Sequence, residues 1–135
     1  MEATQLLDRL EQFFPANPDL MRHISPGACW HYLIYDRSLD EPEPVLEYYL
    51  QKRADGKIEL VHDPPAEKPD LVLYFTEKAI TRLVEGCPSA DEYYARYKKV
   101  MAHPEPGVEL DNKINKSKIL LFKAGYQAWQ RDFKF

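Results

Sequence analysis

Side chains able to do acid–base, nucleophilic or metal chemistry are few in this sequence, and they stand apart. His23, His31, His62 and His103 are scattered and fall in no metal-ligand spacing. His31 and His62 lie in segments that read as strands, where a packed or surface histidine is the ordinary case. Cys29 or Cys87 would need an adjacent base to act as a nucleophile, and the sequence identifies none. The two thiols flank no redox motif, so they read as unpaired cysteines of a reducing compartment rather than a disulfide. The five glycines never cluster into a phosphate-cradling loop. Asn115-Lys116-Ser117 has the form of a glycosylation acceptor, which carries meaning only in a secreted chain. These residues give no reason to expect a catalytic group, a metal or a cofactor.

Binding chemistry is better represented. Tyr93, Tyr94 and Tyr97 share one helical segment, and with Tyr126 they offer apolar rings with polar tips. Such groups suit a ligand carrying a single hydroxyl or carboxylate, or else pack at a core edge with their hydroxyls in solvent. Ile119, Phe122, Tyr126, Trp129 and Phe133 recur at spacings of three and four, which makes one helical stripe. That stripe either packs a core or faces a ligand, according to whether partner side chains fill the space beside it. Lys113, Lys116, Lys118 and Lys123, with Arg96, Lys98 and Lys99, are a solvated face or a patch for a phosphate or membrane headgroup.

The elements that must position these groups follow from periodicity and punctuation. Residues 4–14 place Leu6, Leu7, Leu10, Phe13 and Phe14 on one helical face, with Thr4 as N-cap, and Pro15 and Pro18 end that helix. Ala28 to Tyr35 is rich in β-branched and aromatic residues and reads as a strand. An acidic, proline-bearing loop follows. Val45 to Arg53 then alternates, with Leu46, Tyr48 and Leu50 on one face. Asp55-Gly56 supplies a hairpin turn, and Ile58, Leu60 and His62 continue the alternation. Asp70 to Phe75 is a nearly continuous apolar strand, either covered on both faces or lining a cavity. Thr76 caps a helix that Gly86 ends, and Ser89 with Glu92 forms the capping box of another. Val108, Leu110 and Ile114 suggest a last strand, and Ser117 caps a closing helix that carries the stripe.

The bulk properties narrow the classes. A chain of 135 residues fits one domain, 1–135, and can build a core without disulfides or metals. Residues 1–67 carry six basic and thirteen acidic side chains, and residues 68–135 carry twelve and nine. Even the basic half is far from the field of a duplex nucleic-acid binder, so no nucleic-acid partner is expected. No apolar run is long enough to span a bilayer. The acidic start, Met1-Glu2-Ala3-Thr4, is unlike a secretory signal, and the end, Asp132-Phe133-Lys134-Phe135, matches no peroxisomal or retention signal. The expected place is the cytoplasm.

Residues 68–86, Lys-Pro-Asp-Leu-Val-Leu-Tyr-Phe-Thr-Glu-Lys-Ala-Ile-Thr-Arg-Leu-Val-Glu-Gly, resemble the middle of a sterol-carrier-protein (SCP2-like) domain. In that family a strand opens on a small or proline residue and Asp, runs through apolar residues to a capping Ser or Thr, and enters a short helix ending in Gly. Here those roles fall to Pro69-Asp70, Leu71 to Phe75, Thr76 and Gly86. The order of the later elements also fits, whereas the family's Gly-Lys-rich strand is replaced by Val108 to Lys116 behind a proline-rich insert. The resemblance implies an α+β fold, a five-stranded, mainly antiparallel sheet with helices packed on one side, enclosing an apolar cavity. The implied ligand is a fatty acid, fatty acyl-coenzyme A, sterol-like molecule or phospholipid, held without catalysis. On this reading the candidate wall is Leu73, Phe75, Ile80, Leu83, Val84, Tyr97, Val100, Ile119, Phe122, Tyr126 and Trp129. Two other readings stand beside it. One is an interaction or regulatory domain of the same fold whose aromatics fill the core, and the other is an enzyme subunit acting on an acyl thioester.

Overall fold

The computed structural model describes residues 3–135, so the Met1-Glu2 start lies outside the described residues. Helix α1 (Ala3–Phe13) presents Leu6, Leu10 and Phe13 inward, as its periodicity predicts. Thr4 lies inside this helix rather than at its cap. A 3₁₀ turn (Pro18–Met21), begun by the proline that ends the helical reading, turns the chain toward the sheet. Strands β1 (Cys29–Tyr35), β2 (Leu46–Lys52) and β3 (Ile58–Val61) follow. The Asp55-Gly56 hairpin joins the last two, with Gly56 at φ 85° as a tight turn requires.

Strand β4 (Leu71–Thr76) returns on the far side of β1 and runs parallel to it. The sheet order is therefore β3-β2-β1-β4-β5, with every other neighbouring pair antiparallel. Thr76 caps α2 (Glu77–Val84), its hydroxyl accepting from the Ala79 amide. Ser89 caps α3 (Ala90–Ala102) through the Glu92 amide. Strand β5 (Leu110–Ile114) completes the sheet edge.

The closing helix differs from its sequence reading. Ser117 does cap it, but it consists of two pieces, α4 (Lys118–Lys123) and α5 (Tyr126–Phe133). Gly125 stands between them at φ 104°, where a Cβ would collide with the carbonyl oxygen of His23. The chain bends there because the loop of residues 23–25 crosses it closely, and the Ser25 amide donates to the Ala124 carbonyl at 2.9 Å.

Register puts one set of side chains on the inner face of the sheet. Trp30 pairs with Leu50 and Leu71, Tyr32 with Tyr48 and Leu73, and Ile34 with Leu46 and Phe75. The alternate residues His31, Leu33 and Tyr35 are half-buried on the outer face, so the helices cover the inner face. Over the middle of that face α2 packs Ile80, Leu83 and Val84 tightly, each with almost no exposure. Phe14 tilts against Tyr32, and Phe13 stacks on Tyr93 at 5.7 Å, which ties α1 to α3.

Candidate functional site

Toward β5 the inner face is not filled. Trp30 and Tyr32 of β1 with Leu71 and Leu73 of β4 form the floor of a cavity of about 500 Å³. Tyr93, Tyr94 and Tyr97 of α3 form one wall, and Leu121, Tyr126 and Trp129 from the broken closing helix form the other. The floor and α3 residues are buried or nearly so, whereas Met101, Ile114, Phe122 and Phe135 are 43–62% exposed and make the rim. The mouth is therefore open. This matters energetically, because a sealed dry void of this size would cost roughly 12 kcal/mol at ~24 cal/mol per Å³, a domain's entire stability. Water or a ligand must occupy such a space, and its volume lies in the range of small-molecule sites.

The polar groups of the wall are few and mostly committed. Trp30 Nε1 donates to the Tyr126 hydroxyl at 2.7 Å, which donates in turn to Asp70 Oδ2 at 2.7 Å. Asp70 is 2% exposed, and its other oxygen is 2.6 Å from Lys116 Nζ. The Tyr94 hydroxyl donates to the Leu20 carbonyl at 2.9 Å, and Asn112 Nδ2 donates to the Tyr97 hydroxyl at 3.1 Å. Trp129 Nε1 also reaches the Leu20 carbonyl, at 3.1 Å. Among the described residues, the hydroxyls of Tyr32 and Tyr93 have no hydrogen-bond partner, nor has that of Tyr48, which stacks on Tyr32 at 5.0 Å. Burial raises the ionisation of Tyr32, Tyr48, Tyr93, Tyr94 and Tyr97 above the ordinary phenol value. Tyr126 is raised by burial and then by its bond to the Asp70 carboxylate. The phenols thus stay neutral, and those of Tyr32, Tyr93 and Tyr97, whose protons are not given to any other described residue, can donate to an acceptor oxygen on an otherwise apolar ligand.

Of the candidate wall residues, Leu73, Tyr97, Phe122, Tyr126 and Trp129 line the cavity. Phe75, Ile80, Leu83 and Val84 lie instead in the solid core where α2 meets the sheet, and Val100 is half-buried against it. Ile119 is 69% exposed and outside the lining, because the break at Gly125 takes α4 out of register with the stripe on α5. The stripe as a whole is divided, since Phe133 packs on Tyr94 at 4.3 Å while Phe122 stands on the rim. Trp30 and Tyr32 were missing from the candidates. The alternation of β1 carried their signal, because it aligns both with Leu71 and Leu73 once the two strands are paired.

The remaining reactive groups take other roles. His23 lies 2.7 Å from Asp132, His31 is 2.6 Å from Glu47 and stacks on Tyr49, and His62 is 3.1 Å from Glu11. Cys29 is buried and Cys87 exposed, and both are free. Among the described residues, no group of three or more His, Cys, Asp or Glu could hold a metal ion. The basic patch is also divided. Arg96 Nη1 donates to the carbonyls of Arg82 and Glu85 at the end of α2, and Lys98 donates to the Phe133 carbonyl at the end of α5. Lys116 is taken by Asp70, whereas Lys118 and Lys123 have no ionic partner among the described residues. No described helix is long and apolar enough to cross a membrane.

No family model matches the sequence, and no curated protein matches it. Among solved structures, a UbiJ-SCP2 ubiquinone synthesis protein is similar over 97% of this chain and 89% of its own, with a TM-score of 0.50 and 11% identity. An SCP2-like-3 protein of Aedes aegypti covers 100% of this chain and 99% of its own, with a TM-score of 0.41 and 17% identity. A conserved hypothetical protein of Thermus thermophilus covers 98% and 84%, with a TM-score of 0.40 and 11% identity. At 11% identity the first of these likenesses speaks to the fold alone.

Proposed function

We propose that this chain, which has the sterol-carrier-protein fold, is a single lipid-binding unit that holds an apolar ligand in the cytoplasm without transforming it. The observation that carries this reading is the open cavity of about 500 Å³, walled by aromatic and aliphatic side chains. Its mechanism is desolvation. Each Å² of apolar ligand surface taken from water contributes ~25 cal/mol, and few wall groups require a polar partner. Leu73, Tyr97, Phe122, Tyr126 and Trp129, with Trp30 and Tyr32, are the proposed contacts. The free phenols of Tyr32 and Tyr93 would fix orientation by donating to one ligand oxygen, while Lys118 at the mouth favours an anionic group left outside. Transient contact with a membrane surface belongs to this reading.

Native mass spectrometry of freshly purified protein, with organic extraction of the same sample, tests the proposal. The expected result is a stoichiometric adduct of lipid mass, or one formed on incubation with fatty acids, acyl-coenzyme A, sterols or an isoprenoid quinone. The quinone joins the panel because the name of the ubiquinone synthesis neighbour points to that class. A clean mass that none of these ligands shifts would sink the proposal. It would favour the interaction or regulatory domain with a filled interior instead.

A further inference from the structure

The exposed apolar side chains are unevenly placed. Among the described residues the large ones are Val45, Met101, Ile114, Ile119, Leu120, Phe122 and Phe135. All but Val45 gather where the cavity opens. Met101, Ile114, Phe122 and Phe135 form its rim, and Ile119 and Leu120 stand on the same short helix as Phe122. Single exposed leucines need no explanation, but a contiguous apolar patch around a mouth does.

Charge marks the same place. From residue 113 to residue 131 the sequence carries Lys113, Lys116, Lys118, Lys123 and Arg131, and no acidic residue. Of the nearby carboxylates, Asp70 is neutralised by Lys116 and Asp132 is held by Arg22 and His23, while Asp111 lies near Tyr97 and Glu67 near Lys116. Lys118 and Lys123 bracket α4 with no ionic partner among the described residues, so the apolar projections of α4 sit between two free cations. Apolar side chains flanked by lysines are suited to the boundary between headgroups and acyl chains, where each cation also gains from anionic lipid. A second copy of the chain is a poorer match, because it would bring the same lysines against each other. A stable protein interface also buries about 800 Å² per partner, more than a six-residue helix and a rim of four side chains readily supply.

We infer that α4 is the element by which this chain docks on an anionic phospholipid surface, inserting Ile119, Leu120 and Phe122 so that the cavity mouth meets the acyl layer. The inference rests on the lipid-binding reading and gives it a direction. A ligand would pass between bilayer and cavity through the rim without crossing bulk water.

Flotation of the full chain with vesicles tests it. Vesicles of phosphatidylcholine alone are compared with an equimolar mixture of phosphatidylcholine and phosphatidylglycerol. The protein is expected to float with the mixed vesicles and to be released by high salt. Ile119→Asp with Leu120→Asp should lower the bound fraction about tenfold or more, and Lys118→Gln with Lys123→Gln should lower it roughly tenfold. Uptake of a soluble radiolabelled fatty acid by the aspartate variant should be unchanged, because neither residue lines the cavity. Equal flotation of the aspartate variant and the parent would overturn the inference. So would a parent that takes up fatty acid yet ignores mixed vesicles, or a stable dimer in solution that the aspartate variant dissociates. Salt-sensitive flotation lost in the variants, without fatty-acid uptake by any form, would leave the docking intact and remove the carrier function instead.

Discussion

Asp70 is the most heavily used side chain of the site. It is 2% exposed, and each carboxylate oxygen is taken, one by Lys116 and the other by Tyr126. Its backbone is pinned as well, with its amide donating to Cys29 and its carbonyl accepting from Asn115. The carboxylate thus clamps the start of β4 to the end of β5 and to the first turn of α5, which closes one end of the cavity. Asp70→Ala strips a half-buried ammonium of its partner and a buried phenol of its acceptor, and is expected to cost roughly 3 kcal/mol. Asp70→Asn keeps an acceptor for Tyr126 and should cost clearly less. Urea denaturation of the two variants decides this, and equal losses would assign the whole effect to the charge. The sequence displays Asp70 in its Pro-Asp strand opening. Its partners lie 46 and 56 positions away, and nothing in their local pattern joins them to it.

At the scale of elements, three of the four expected helix caps were legible because they are local, whereas Thr4 falls inside its helix. Thr76, Ser89 and Ser117 each accept from an amide three residues on, a geometry fixed by residue type and spacing. The break between α4 and α5 was not legible, because Gly125 inside a regular apolar stripe is compatible with an unbroken helix. The crossing loop of residues 23–25, a hundred positions away, forces the bend. Gly125→Ala and Gly56→Ala separate the two demands. Both residues have positive φ, but a Cβ at Gly56 meets open space while one at Gly125 meets the His23 carbonyl. Gly56→Ala should therefore cost about 1 kcal/mol, the left-handed strain alone. Gly125→Ala should cost at least about twice that and lower Tm by roughly 5 °C or more. Similar thermal shifts for both would mean that the close approach carries no energy.

Over the whole molecule, the succession of strands and helices and the inward face of β2 were readable from alternation, and the SCP2-like middle segment implied a cavity, but neither the spatial strand order nor the line between cavity and solid core was. A cavity wall and a solid core draw on the same residue types. Phe75 and Leu73 are neighbours in one strand and face the same way, yet only the second borders the void. The concentration of buried phenols has a consequence of its own. Tyr32, Tyr48, Tyr93, Tyr94, Tyr97 and Tyr126 are all raised above their ordinary value of 10.0, so at alkaline pH the unfolded chain releases protons that the folded chain keeps. Lys116, raised by its bond to Asp70, acts in the same direction. Stability from such groups is complete below their unfolded values and is lost as pH rises above them. Each buried phenol contributes about 1.4 kcal/mol per pH unit beyond that point, and six together give roughly 8, comparable to a domain's total stability. Cooperative unfolding is therefore expected within about one to two units above pH 10. The tyrosinate absorbance of these six side chains and circular dichroism should change in one transition. Ionisation of all nine tyrosines with the fold intact would contradict the burial of the six.

Both tryptophans of the chain, Trp30 and Trp129, border the cavity, one on its floor and one on its wall. Their indole nitrogens are already engaged, so the surroundings that remain free to change are whatever fills the space beside their rings. Every intrinsic fluorophore of this class thus watches the same volume, and none reports from elsewhere. An occupant that expels water will shift the emission of Trp129 to the blue, and one carrying a quencher will dim it. Occupancy can then be followed in the unmodified protein by light alone.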